Sequence, residues 1–84
     1  MPFWYIYNIN EVFYMNRLRD LREDRDLNQD TVAHFLNCSQ TAYSRYELGK
    51  RDIPTEVLKK LADYYDTSID YILGRTNNPA PPQK

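Results

Sequence analysis

Asn28-Gln29 and Ser39-Gln40 place the same local signal at two points eleven residues apart, and this spacing limits the fold more than any bulk property. The side-chain oxygen of asparagine or serine accepts a hydrogen bond from a free amide of a helix's first turn, so each pair opens a helix. Asp30 adds a favourable negative charge to the first turn of the earlier one. Val32, Ala33 and Leu36 follow as its apolar stripe. Asn37 then stands where a helix ends in a left-handed residue, which asparagine tolerates better than most. Only Cys38 separates that end from the next cap. Two helices joined by so tight a turn must cross at a steep angle.

The helix that begins at Gln40 divides sharply by angle. At about 100° per residue, Gln40, Thr41, Ser44 and Arg45 fall within about 140° of one another. Ala42, Tyr43 and Tyr46 lie on the opposite side. The apolar side must pack, so the polar ridge faces outward. Leu48-Gly49-Lys50-Arg51-Asp52 reads as a loop, and a fourth helix follows with Pro54 in its first turn and Val57, Leu58, Leu61, Ala62 and Tyr65 inward. Ser68 caps a short fifth helix, IDYIL, which Gly74 closes. Upstream, NRLRDLREDRD over 16–26 carries Leu18 and Leu21 among charges. It reads as an amphipathic first helix that starts further upstream, since Tyr14 lies four residues before Leu18.

Eighty-four residues suit one domain with one small core. The formal net charge of -1 gives no hint of a polyanionic partner, but the charge is unevenly placed. Residues 39–51 hold Arg45, Lys50 and Arg51 against the single acid Glu47, whereas residues 61–73 hold Asp63, Asp66 and Asp70 with no base. A lone cysteine forms no internal disulfide, which fits a reducing, cytoplasmic setting. No apolar run approaches a membrane span, and the opening FWYIY lacks a basic leader. His34 has no cysteine or acidic set at metal spacing, and no serine, histidine and acid form a nucleophilic set. The expectation is therefore no enzyme, no metal, no cofactor and no small-molecule substrate.

From about Asn16 to Thr76, the segments RLRDLRED, LNQDTVAHFLNCS, SRYELGKR, KKLADYY and SIDYILGRT resemble, in order and spacing, the Cro/cI-type (XRE) helix-turn-helix regulators of bacteria and phages. Gln29, Ala33, Ser39, Tyr46 and Glu47 fill characteristic positions. Asn37 and Asp66 replace frequent glycines, Leu48 replaces a common asparagine, and Tyr43 stands where an aliphatic residue is usual. The resemblance implies an all-α, compact five-helix bundle with a lambda-repressor-like DNA-binding domain over 15–75; residues 76–84, too poor in apolar side chains to build a core, read as a flexible Pro-rich tail. The resemblance further implies that Gln29 touches the DNA backbone and braces Gln40, and that Arg22 pairs with Glu47 as a structural ion pair.

On that reading Gln40, Thr41, Ser44 and Arg45 read bases of double-stranded DNA. Gln40 offers a donor and an acceptor to adenine, and Arg45 a fork to guanine. Gln29, Ser39, Lys50 and Arg51 hold phosphates and fix register. The expected function is a small transcriptional regulator, a repressor acting as a homodimer. The rival is a protein-interaction module such as the antitoxin of a toxin pair. Residues 1–14, MPFWYIYNINEVFY, lie outside the resemblance. Three readings compete for them: a dimer contact, a segment folded back near Phe35, or an overextended reading frame with Met15 as the start. A packing or dimer role is favoured, because long apolar segments seldom stay exposed.

Overall fold

Leu18 and Leu21, spaced to share a helix face, turn the first helix toward the core. The computed structural model describes residues 16–82. Among the described residues five helices follow one another: α1 Leu18–Asp24, α2 Gln29–Leu36, α3 Gln40–Glu47, α4 Thr55–Tyr64 and α5 Ile69–Ile72. No strand occurs among the described residues. One residue from each helix (Leu18, Val32, Tyr43, Leu61 and Ile72) is wholly enclosed, so every helix contributes to a single core.

Local chemistry accounts for most boundaries. Asn28 Oδ1 accepts from the Thr31 amide at 2.9 Å, Ser39 Oγ from Ala42 at 3.1 Å and Ser68 Oγ from Tyr71 at 3.0 Å. Asn37 adopts φ 62°, ψ 40°, and the amides of Asn37 and Cys38 donate back to His34 and Ala33 carbonyls. Asp66 takes φ 52° after α4. Asp26 does the same after α1, a turn that the charged run 16–26 did not disclose.

Two boundaries differ from expectation. The first helix does not run upstream through residue 16; it opens at Leu18, behind Arg17. The Arg17 amide donates to the Ile72 carbonyl at 2.8 Å, so it is spent on another helix and cannot extend the ladder upstream. Asn16 completes the stop, accepting from the Leu18 amide and donating to the Tyr46 carbonyl at 2.8 Å. Pro54 stands just before α4 rather than within it, with ψ 148°. Tyr14 and the rest of the aromatic opening lie outside the described residues.

Two arginines in the charged first segment act as clamps. Arg17 donates to the carbonyls of Tyr71 and Thr76 at 2.6 and 2.8 Å and lies 4.2 Å from the Tyr71 ring centroid. Arg25 donates to the Tyr65 carbonyl at 2.8 Å and covers that residue's ring. Thr67, itself buried, donates to the Pro79 carbonyl at 2.7 Å, so the first residues of the Pro-rich tail are tied to the body. Phe35, at 43% exposure, stacks on Tyr64 with ring centroids 4.3 Å apart. No helix among the described residues is long and apolar enough to cross a membrane.

Candidate nucleic-acid interface

The α2–turn–α3 unit presents its polar residues on one side because the other side is consumed by packing. Tyr43 and Tyr46 are buried, Ala42 is half-buried, and Gln40, Thr41 and Arg45 are exposed. Ser44 lies at the margin, half-buried. Thus three of the four proposed base-reading side chains project freely, and the fourth is more enclosed than helical angle alone suggests.

Behind this ridge runs a continuous polar chain. Glu47, the last residue of α3, is only 6% exposed. Arg22 of α1 forks onto it, with Nε donating to Oε2 at 2.7 Å and Nη2 to Oε1 at 3.1 Å. A third Arg22 nitrogen donates to the Leu27 carbonyl at 2.9 Å, which fixes the guanidinium plane. Gln29 Nε2 also donates to Glu47 Oε1, at 3.1 Å. Gln40 Nε2 in turn donates to Gln29 Oε1. Burial opposes ionisation of Glu47, but the hydrogen bonds from Arg22 and Gln29, with the Arg22 charge, outweigh it and hold the carboxyl below its ordinary range. The hydrogen bond to Glu47 likewise raises Arg22.

The carboxylate sets the polarity of everything outward from it. An ionised carboxylate only accepts, so Gln29 must turn its NH2 inward and its carbonyl outward. Gln40 must then spend one N–H on that carbonyl. It keeps a second N–H and its own carbonyl for solvent or a ligand, one donor beside one acceptor. Gln29 keeps a single free N–H.

Ser39 is exposed; its oxygen is engaged in capping, while its O–H remains available to donate. Lys50 and Arg51 are exposed in the loop after α3, which Gly49 turns with φ 71°. The Arg51 guanidinium lies 5.8 Å from the Tyr46 ring. Arg19, Lys59 and Arg75 each have an acidic neighbour within 4.0 Å. Among the described residues, Arg45, Lys50 and Arg51 have none, so uncompensated positive charge gathers at and just beyond the α3 ridge. His34 is exposed and Cys38 packs partly against the core; no group of three candidate metal ligands occurs among the described residues.

Sequence reasoning missed that the Tyr43 hydroxyl is enclosed without a hydrogen-bond partner, because helical angle places that ring in the core without saying where its hydroxyl ends. It also assigns no role to Arg17 and Arg25. Only the carbonyls of Tyr65, Tyr71 and Thr76, brought close by packing, reveal them as clamps.

Comparison with known proteins agrees with this geometry. A helix-turn-helix family model, HTH_3, matches residues 18–72, the whole of α1 to α5. The chain is 38% identical over 68 residues to the uncharacterised HTH-type transcriptional regulator YobD of Bacillus subtilis, covering 81% of this chain and 61% of that protein. It is 38% identical over 56 residues to the cryptic phage CTXphi transcriptional repressor RstR of Vibrio cholerae, covering 67% and 50%. It is 33% identical over 60 residues to the HTH-type transcriptional activator BcrR of Enterococcus faecalis, covering 71% and 29%. The chain therefore spans about three fifths or less of the length of these relatives. No solved structure gives a significant match. With the family model spanning all five helices and a polar ridge left free on α3, the chain belongs to the Cro/cI-type (XRE) helix-turn-helix family of DNA-binding transcriptional regulators.

Proposed function

We propose that this chain binds double-stranded DNA sequence-specifically, with α3 in the major groove, and acts as a repressor in the form of a homodimer. The observation that carries the reading is the braced amide of Gln40, which keeps one donor and one acceptor beside the exposed Thr41 and Arg45. That pair complements the N6 and N7 edge of adenine, and the Arg45 fork complements O6 and N7 of guanine. Ser44 contributes a hydroxyl from the ridge's margin, suited to a phosphate or the edge of a base. Ser39, the free N–H of Gln29, Lys50 and Arg51 hold phosphates around this ridge, so they set register without reading sequence. Neutral amides suit the helix start because they add donors to a partial positive charge at little desolvation cost.

Repression follows from occupying promoter DNA; the phage relative is named a transcriptional repressor. Two-fold related copies would place their α3 helices one helical turn apart, roughly 34 Å, on an inverted repeat. The test is selection of bound sequences from a random DNA pool, followed by titration of Arg45→Ala on the enriched site. An enriched inverted repeat and a loss of about 1–3 kcal/mol confined to one base pair of each half-site support the reading. A protein that enriches no sequence, or an Arg45→Ala variant equal to the wild type on enriched and scrambled sites, refutes it. Copurification with a second protein and no enriched DNA would mark an interaction module instead.

A further inference from the structure

Three large apolar side chains stay well exposed among the described residues: Phe35, Leu48 and Leu73. Tyr64 covers one face of the Phe35 ring. Leu48 and Leu73 are 43% and 41% exposed, and neither is among the hydrophobics packed on the core. They follow the last residues of α3 and α5, yet both line one open depression of about 840 Å³. A hollow of that size takes several side chains, since about 300–1,000 Å³ accommodates a drug-sized ligand. Its wall also contains Asn16 and Arg17, the first two described residues. Both are fastened beside the two leucines. Asn16 Nδ2 donates to the carbonyl of Tyr46, two residues before Leu48, and the Arg17 amide to that of Ile72, directly before Leu73, each at 2.8 Å. The chain therefore joins the body next to both. What precedes this junction is rich in rings: residues 1–14 hold six of the chain's twelve aromatic residues and one charged side chain, Glu11.

We infer that the Leu48–Leu73 face is the docking site of this chain's own N-terminal segment, with the Phe13 ring seated against the two leucines. Phe13 stands three residues before Asn16, a backbone reach of at most about 11 Å from a residue already in the wall. A tether that short holds the ring at an effective concentration in the millimolar range, so modest apolar burial is enough to seat it. A second copy of the chain would need an interface on the order of 1,000 Å² in total, and two part-exposed leucines at one depression are small against that. The inference does not depend on base reading by Gln40. It does bear on the same region, because Gln29 and Glu47 share the wall and the seated segment borders the polar chain that braces Gln40.

The experiment records proton–proton contacts by NMR in the full chain without DNA, labelled at leucine methyls and phenylalanine rings. Leu48→Ala and Leu73→Ala assign the methyls, and Phe13→Ala assigns the ring. The expected result is contact from both methyls to the Phe13 ring, at the same relative intensity in dilute and concentrated protein. A mixture of two differently labelled chains should show no such contact between copies. Melting supplies a second measurement: Phe13→Ala should lower the midpoint by about 4 °C or more, and the Leu48→Ala/Leu73→Ala pair by a similar amount. Combining all three should lower it no further than the leucine pair does, because the substitutions remove one shared contact. Contacts that run only between copies make the face a dimer surface, and contacts from Phe13 to Phe35 or Tyr64 seat the segment elsewhere. Contacts that need added DNA make nucleic acid the occupant. Each of these overturns the inference, as does a Phe13 ring that touches neither leucine.

Discussion

Replacing Arg22 with methionine tests the energetic centre of this molecule. The substitution keeps much of the side-chain volume but removes the two donors to Glu47 and the one to the Leu27 carbonyl. Glu47's side chain is 3% exposed, so water cannot replace them without opening the core. Breaking a buried pair from one side typically costs about 3–5 kcal/mol, because a charge is left behind. A chain of 84 residues has a total stability of about 4–13 kcal/mol at ordinary values per residue. The variant therefore loses a large fraction of its stability, and its melting temperature falls by about 12 °C or more. Urea titration with linear extrapolation measures the loss directly.

The pH dependence supplies the sharper check. In the wild type the folded carboxyl of Glu47 lies below its ordinary value, so its stabilising contribution is present above the ordinary glutamate range and disappears as pH falls through the folded value. Without Arg22, burial becomes the dominant influence and pushes the same carboxyl above its unfolded value. The variant then gains relative stability as the solution is acidified and Glu47 takes up a proton. The gap between the proteins should be widest near neutral pH and should narrow by about pH 5. A gap below about 1 kcal/mol, or one that does not change with pH, would refute the claim that an uncompensated buried charge is the cause.

Three further outcomes follow from single features. Asn28→Ala should destabilise the domain by about 1 kcal/mol in urea titration, since it strips the cap from α2 while its exposed site tolerates the smaller side chain. Asp66→Gly should stabilise by about 0.5–1 kcal/mol in the same assay, because φ 52° is unfavourable for a residue with a Cβ. Lys50→Ala should weaken binding to all DNA sequences alike and lower the slope of log affinity against log salt by about one counterion, read by titration at several salt concentrations.

How much could be read in advance depended on the distance over which each feature is decided. Asn28, Ser39 and Ser68 act on amides three residues away, and Asn37 acts on its own backbone, so composition and order suffice for them. The outward face of α3 is equally local, because helical angle separates Gln40, Thr41 and Arg45 from Tyr43 and Tyr46. The start of α1 was misread since the decisive partner, the Ile72 carbonyl, belongs to the other end of the chain. Arg22 and Glu47 are 25 residues apart, and their pairing was suggested by family resemblance rather than by their own spacing.

What this sequence determined by itself is where helices begin and end and which side of each is apolar, because those properties arise from neighbours within one or two turns. Tertiary structure alone decided which arginines became clamps, why Phe35 rests on Tyr64, and how the inner carboxylate orients two successive amides. The physical reason is that a buried charge must find a partner among whatever groups packing delivers, and no local pattern records which groups those are.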